Sequence, residues 1–526
     1  METAAKILTH KGYSIRKDVV SPEQVKRLME DLTVCPALNT KFASAQQKAD
    51  ATFKIYRESP TRWYLPRHYG IENFGQPDSS VLSDGQALRD TVVFGGTPYL
   101  YQTDIIDSFI NAGANGLICV PCGKGKTFMA ISIAARLRRR FLVVVDKEFL
   151  MNQWRGEMEA LMPGIRIGII QEDRKEIGFV EEIPKDPTIP ELKARLRELG
   201  LRVGGTKEQL VARLKEAEPP AAPVERVQYD CAIALIQTVI RRDFSPADFE
   251  GFGFTIFDEC HHLGAQSFSR VLQRIQTKYM LGLSATPTRE DGLTKVFFWF
   301  LGKPVYWEKT REPDPTVEVK SVMIRTDDVT YNTIPTNWRG EPVTAQLLTN
   351  ILGCAERTDE IVRWVLRLAE EPARKILVLS ERIGHLEEIE RLIVASEKGL
   401  TIAYYIGGMK EKVREEGAAT ARILLASYAM ASEAMNIKSL NSVVLASPRK
   451  HVEQSTGRIL RVRQSERVVV PVIVDIVDSH MMYIGQWKKR KAYYKQCAYK
   501  LESWSMGATE GRVKEAPVPN GCLIED

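Results

Sequence analysis

The sequence predicts an α/β chain: two parallel-sheet units in tandem, a small α+β unit before them, and a helical hairpin set into the first. Three observations lead there. From about residue 97, short β-rich apolar runs alternate with helical periods, as in parallel sheets with crossover helices. The runs fall into two groups, GLICV, FLVVVD, FTIFD and MLGLSA, then KILVLS, ILLAS, VVLAS and VVVPVIVDIV. The first group is interrupted by Thr188–Glu218, a stretch with helical period and prolines on both sides.

Composition sets the frame. The chain has 526 residues, 44% hydrophobic and 27% charged, with room for three or four domains at roughly 150 residues each. A net charge of +6 permits nucleic-acid binding without establishing it. Eight scattered cysteines make no disulfide framework, so a reducing compartment is expected. METAAKILTHKGYSIRK has no apolar signal core, and no run approaches ~20 apolar residues, so a soluble protein without membrane partners is expected.

Residues 1–95 read as an α+β accessory unit. Ser21, Pro22 and Gln24 form a capping box that starts a helix running to about Leu32. TFKIYRES and TRWYLP read as paired strands across Ser59-Pro60. The first sheet unit spans 96–310 and the second 320–480. The remainder, 481–526, reads as a basic and aromatic tail.

Within the first unit, ICVPCGKGKT is a buried strand, a glycine-rich turn and a Lys-Thr that opens a helix. Gly123 and Gly125 let backbone N–H groups approach phosphate oxygens around Lys124. Lys126 reaches the terminal phosphates, and the Thr127 hydroxyl suits Mg²⁺. Val120 stands where the strict pattern has its first glycine. FTIFDECHHLG ends an apolar strand on Asp258-Glu259, where an ATP-hydrolysing site needs one acid for Mg²⁺ and one to orient the attacking water. Cys260, His261 and His262 are adjacent and cannot all converge on one ion. Cys119 and Cys122 have no second pair at zinc spacing.

These motifs, with those around them, resemble a superfamily 2 helicase over about residues 97–475. Tyr101-Gln102 resembles the adenine-reading glutamine motif, VVVDKEFLMNQW motif Ia, IQTV at 236–239 motif Ib, and DECH motif II. LGLSATPTREDG carries Ser284 and Thr286 of the motif that couples hydrolysis to movement. ILLASYAMASEAMNI resembles motif V, and QSTGRILR, with Gln454, Arg458 and Arg461, motif VI. Motif V departs from the common pattern at Ala434-Met435-Asn436, and Asn436 replaces a carboxylate. The resemblance implies two tandem RecA-like domains, ATP and Mg²⁺ as cofactors, and Arg458 and Arg461 as groups facing the γ-phosphate.

Within that superfamily, PCG, DECHHLGAQSFSRVL and LSATPTREDGL are most similar to the excision-repair translocases and the transcript-release helicases of large DNA viruses. KGYSIRKD, FKIYRES and WYLPRHYGIENFG resemble the viral members. The resemblance implies DNA as the track, with RNA as an alternative, and RNA polymerase or transcription factors as partners. It implies an intracellular location, in a host cytoplasm or nucleus, or in a virion.

The interruption, residues 184–224, reads as two short helices. Thr188 and Thr206 serve as N-caps. Leu192, Leu196 and Leu199 line one face and Leu210 and Leu214 the other, and Gly200 suits the helix end. Helices this short need each other's apolar faces. The layout resembles a SAP domain, a small DNA-binding helix pair. Seven basic residues against five acids give a net charge of +2, so phosphate contacts from Arg202, Lys207 and Arg213 are expected to be weak. A protein-binding hairpin is the alternative. EIPKDP and EPPAAPV read as semi-rigid tethers, and the strands RIGIIQ and DCAIALIQTV on either side as sheet neighbours.

In the tail, WKKRKAYYKQCAYK offers Lys488, Lys489 and Arg490 as phosphate contacts, with aromatic rings for stacking. A helix with a buried aromatic stripe is the equal alternative. Two other functions fit less well: a DNA-binding scaffold with a degenerate motor, and the motor subunit of a restriction-type complex. The second needs a nuclease domain, and about 45 residues after 480 leave no room for one.

Overall fold

Ser21 caps the helix Pro22–Asp31 as the sequence implies: its hydroxyl accepts from the Gln24 N–H, and the Gln24 side chain returns the bond to the Ser21 N–H. Leu28 and Leu32 share a core with Tyr13, Ile15, Trp63 and Leu65 of a five-strand sheet, whose order is Arg57–Glu58, Arg62–Leu65, Gly12–Arg16, Lys6–Thr9, Ser79–Ser80. TFKIYRES is not one strand. Phe53–Lys54 pairs with Thr33–Val34, and Arg57–Glu58 with Arg62–Leu65, so the run breaks between two partners. The computed structural model describes residues 4–37, 45–121, 123–181, 189–217, 226–259, 265–285, 292–308, 313–433, 435, 437–460, 462 and 464–513. The chain divides into two units, Met1–Cys119 with Thr127–Trp307, and Val120–Lys126 with Glu308–Asp526.

In the first unit, eight strands run in the order Arg174–Lys175, Ile167–Gln171, Cys231–Leu235, Phe141–Val145, Phe254–Phe257, Tyr279–Ser284, Asn115–Cys119, Pro304–Trp307. All are parallel except the edge strand Arg174–Lys175. Central strands such as Phe141–Val145 and Phe254–Phe257 are buried at every position, which explains their unbroken apolar sequences.

The accessory unit is fused to this sheet by a continuous core. Arg67, buried on Arg67–Phe74, donates to Asn115 Oδ1 at 2.7 Å and to the Thr277 and Lys278 carbonyls. Among the described residues no acid pairs with it, and burial lowers its pKa to about 10. Tyr69 meets Trp299 edge-on at 5.2 Å.

The insertion leaves the sheet undisturbed. Ile167–Gln171 and Cys231–Leu235 are parallel neighbours across it. Its root is an antiparallel ribbon, Phe179–Glu181 with Arg226–Gln228. Arg140 anchors that root, donating to the Tyr229 carbonyl at 2.6 Å and the Ile177 carbonyl at 2.8 Å. The tethers, 182–188 and 218–225, lie outside the described residues, as does the Thr188 cap.

The second unit is another parallel sheet: Ile402–Tyr405, Ile423–Ser427, Ile376–Ser380, Ser442–Leu445, Val472–Asp478, Glu318–Ile324, Lys500–Ser505, with Arg512–Val513 antiparallel at the edge. The expected boundary at 480 is therefore too early. The helix Met481–Gln496 covers the sheet, and Lys500–Ser505 enters it beside Glu318–Ile324. Both units are thus largely parallel sheets with covering helices, the α/β arrangement the sequence predicts.

Candidate nucleotide site and nucleic-acid surfaces

Three neighbouring parallel strands of the first unit end side by side at Cys119, Ser284 and Phe257. Cys119 ends the strand before the phosphate loop and pairs in register with Ser284, while Phe257 pairs with Gly282 on the shared neighbour. The loop residues after Cys119, then Ser284 and Asp258, thus leave the carboxyl ends of adjacent strands, where α/β sheets bind ligands. Gly123 and Gly125 have φ of +90° and +80°, which a side chain would strain. Lys126 and Thr127 open the helix Lys126–Leu137. Lys124 forms an ion pair with Glu308 at 3.2 Å.

Asp258 is buried and held from two sides. Its Oδ2 accepts from Trp154 Nε1 at 2.7 Å, and its Oδ1 from the Glu259 N–H at 2.9 Å. Trp154 lies fully buried on the helix Glu148–Leu161. Motif Ia ends on this tryptophan, and its position in the sequence alone assigns it no role; the signal is that a buried indole N–H must find an acceptor. Glu259 adopts φ +43°, a left-handed conformation that costs a non-glycine residue on the order of 1–3 kcal/mol. Ser284 is fully buried at its strand end.

Gln102 is buried on Leu100–Asn111, and its Oε1 accepts from the Tyr99 N–H at 3.0 Å, which fixes the side chain at the helix start. The Tyr99 and Tyr101 rings stack at 5.9 Å beside it, both largely exposed.

Arg458 is buried in the second unit, donating from Nε to the Ala431 carbonyl at 2.6 Å and from NH1 to the Met435 carbonyl at 2.9 Å. A buried guanidinium must satisfy its donors, and here they hold the motif V backbone. Gln454 sits on the short helix Glu453–Gly457. Arg461, Thr286, Cys122, Cys260, His261, His262, Ala434 and Asn436 lie outside the described residues.

The inserted helices are Ile189–Glu198 and Lys207–Ala217. Gly200, with φ +69°, ends the first: Leu201 N–H bonds the Leu196 carbonyl at 2.8 Å and Gly200 N–H the Arg197 carbonyl at 3.0 Å. Leu192, Leu196 and Leu210 form a separate core, with Leu201 and Leu214 packed against it; Leu199 is exposed instead. The Thr206 N–H bonds Gln209 Oε1 at 3.2 Å. Arg202 is exposed and Lys207 half-buried. Arg213 is committed inward, donating to the Arg202 and Gly204 carbonyls and so clasping the turn.

Arg490 is a correction. It is 3% exposed and makes a bidentate pair with Asp475, both bonds at 2.8 Å, shared with the Tyr494 hydroxyl. Burial opposes its charge, but Asp475 outweighs burial and raises the pKa. Arg490 therefore belongs to the core, not to a strand-binding surface. Lys488 and Lys489 are exposed on the same helix, while Trp487 and Tyr494 are buried. Among the described residues, no group of three or more His, Cys, Asp or Glu forms a metal cluster, and no helix is long and apolar enough to cross a membrane.

Comparison with known proteins agrees with this arrangement. Residues 96–289 match the family described as type III restriction enzyme, res subunit. A putative ATP-dependent RNA helicase of Acanthamoeba polyphaga mimivirus is 29% identical over 507 residues, 94% of this chain and 86% of that protein. A putative ATP-dependent RNA helicase of African swine fever virus is 26% identical over 431 residues, covering 76% and 73%. A putative helicase of Invertebrate iridescent virus 6 is 24% identical over 402 residues, covering 73% and 77%.

Proposed function

We propose that this chain, a superfamily 2 helicase by its restriction-enzyme-type helicase domain and its viral relatives, is an ATP hydrolase that drives movement along DNA. The observation that carries the reading is that Cys119, which leads into the phosphate loop, Ser284, and Phe257, which leads into Asp258-Glu259, end adjacent parallel strands of one sheet. In this reading the loop N–H groups and Lys126 hold the phosphates of ATP. Glu259 orients the attacking water, and Gln102 reads the adenine. Thr127 and Asp258 offer oxygen donors that suit Mg²⁺, which would neutralise phosphate charge when bound. Ser284 and Thr286 couple hydrolysis to movement. Arg461 and Gln454 act on the terminal phosphate, with Arg458 holding the motif V backbone in place.

DNA as the track is supported by the inserted helix pair, with Arg202 and Lys207 as its phosphate contacts, and by the exposed Lys488 and Lys489. The insert raises local concentration at the track more than it grips by itself. The role proposed is transcript release in viral gene expression, with an RNA polymerase or transcription factor as partner. Repair is the nearest alternative role. The names of two viral relatives favour RNA as a second track.

The test is ATP hydrolysis stimulated by DNA and by RNA, for the full chain, for Lys126→Ala, and for a deletion of residues 184–224. The reading expects DNA to stimulate more than RNA, Lys126→Ala to abolish turnover, and the deletion to weaken DNA affinity. No stimulation by either polymer, together with an unaltered Lys126→Ala variant, leaves a binding scaffold instead.

A further inference from the structure

Between Glu318–Ile324 and the helix Thr344–Leu352, the second unit carries a small hairpin that no helicase motif uses. Its stem is the Thr336–Pro342 bridge, with the Val343 N–H on the Pro335 carbonyl at 2.8 Å and the Asn337 N–H on the Glu341 carbonyl at 2.9 Å. Asn350 ties the base by donating to the Thr333 carbonyl at 3.2 Å. Asn337, Trp338, Arg339 and Gly340 make the tip. Gly340 N–H closes the turn on the Asn337 carbonyl at 2.9 Å, and Gly340 has φ +77°. The Asn337 carboxamide oxygen accepts from the Arg339 and Glu341 N–H groups at 2.9 and 3.0 Å.

This frame holds out one large side chain. Trp338 is 86% exposed, and the Arg339 guanidinium lies 4.4 Å from its ring centroid. An indole left in water forgoes the burial that normally stabilises tryptophan. The tip is pre-organised, so little conformational freedom remains to be lost when the ring meets a partner. Around the ring the tip is polar: Asn337, Arg339, Gly340 and Glu341. A lone aromatic on a polar tip is too small for a stable protein interface, which buries about 800 Å² on each partner. A flat π-face beside a guanidinium suits a flat ring that carries a phosphate.

We infer that Trp338 stacks on an unpaired base of the nucleic-acid strand, with Arg339 on the adjoining phosphate. The inference rests on the proposed motor function and names a contact outside its motifs. Stacking of this kind tolerates any base, as a translocating enzyme requires.

The test uses the full chain, an oligothymidylate of ~20 nucleotides and its abasic counterpart, which keeps the phosphates and lacks the bases. Trp338→Ala is expected to weaken binding of the intact strand about five- to 100-fold and to leave abasic binding unchanged. Trp338→Phe keeps most of the affinity, which separates loss of the ring from loss of fold. Arg339→Ala lowers the slope of log affinity against log salt by about one phosphate's worth. If Trp338→Ala binds the intact strand as tightly as the unmodified chain, stacking is refuted and the motor reading stands. Equal losses on intact and abasic strands also refute it. If the unmodified chain shows no nucleic-acid-stimulated hydrolysis, the motor reading falls and takes the inference with it.

Discussion

Replacing Trp154 by phenylalanine isolates what holds the proposed metal-binding carboxylate. Trp154 is fully buried, and its Nε1–H reaches Asp258 Oδ2 at 2.7 Å. A hydrogen bond to an ionised group is worth about 1.5–3 kcal/mol, and the void left by the smaller ring adds about 1 kcal/mol. The sum of about 2.5–4 kcal/mol should lower the first unit's melting temperature by on the order of 5–15 °C. A carboxylate held on one side alone should also cost about tenfold in kcat, equal to about 1.4 kcal/mol of barrier. The assays are thermal melting and nucleic-acid-stimulated ATP hydrolysis titrated with Mg²⁺. Asp258→Asn is the contrasting variant. Its one amide oxygen can still accept from the indole, but its NH2 cannot accept from the Glu259 N–H, so it should melt between the unmodified chain and Trp154→Phe while hydrolysis is lost. If Trp154→Phe melts within about 1 °C of the unmodified chain and keeps its Mg²⁺ half-saturation, the Trp154–Asp258 bond is not what orients the acid.

Other expectations follow from the same contacts. Arg490→Ala leaves Asp475 buried without its cation, so it should destabilise the second unit by about 3–5 kcal/mol in a melting experiment and leave the salt dependence of DNA binding unchanged. Lys488→Ala with Lys489→Ala should do the reverse, lowering the salt slope by about two without a change in melting. Arg213→Ala should loosen the inserted helix pair by about 1–2 kcal/mol, seen as faster amide exchange over residues 189–217, because the turn loses its two carbonyl contacts. His68 and His385 have pKa values lowered to about 4 and about 3, by burial first and then by Arg67 and Lys303 for His68 and by Arg357 for His385. Both are neutral in the fold at pH 7, while the unfolded chain takes up protons below about pH 6.5. Stability should therefore be unaffected above that pH and fall as pH drops toward 4, on the order of 3 kcal/mol for His68 alone, measured by denaturant melts against pH.

Much of this protein is written locally. The phosphate loop needs glycines because its backbone takes positive φ, and Gly123 and Gly125 show that in one short string. The parallel strands are legible because burial on both faces forces unbroken apolar runs. The inserted helices are legible because Gly200 and Thr206 end and start them by contacts within a few residues. The strand Lys500–Ser505 was not legible. KLESWS is largely polar, and it joins the sheet because Glu318–Ile324, 182 residues earlier in the chain, offers it an edge. The exposure of Trp338 is not legible for the opposite reason: nothing in NWRG says whether its tryptophan is buried.

What a charged or polar side chain does depends on what the fold brings to it. Lys488, Lys489 and Arg490 are consecutive and read alike. The tertiary structure separates them, because the helix turns Arg490 onto Asp475, a buried acid on the neighbouring strand Val472–Asp478. In the same way Arg458 meets carbonyls 23 and 27 residues away, and Trp154 meets an acid 104 residues away. Periodicity and turn chemistry are short-range, so the two sheets, the order of the motifs and the inserted hairpin can be read along the chain. Which cations stay exposed and which are consumed in the core depends on long-range contacts, because a buried charge is settled by its partner.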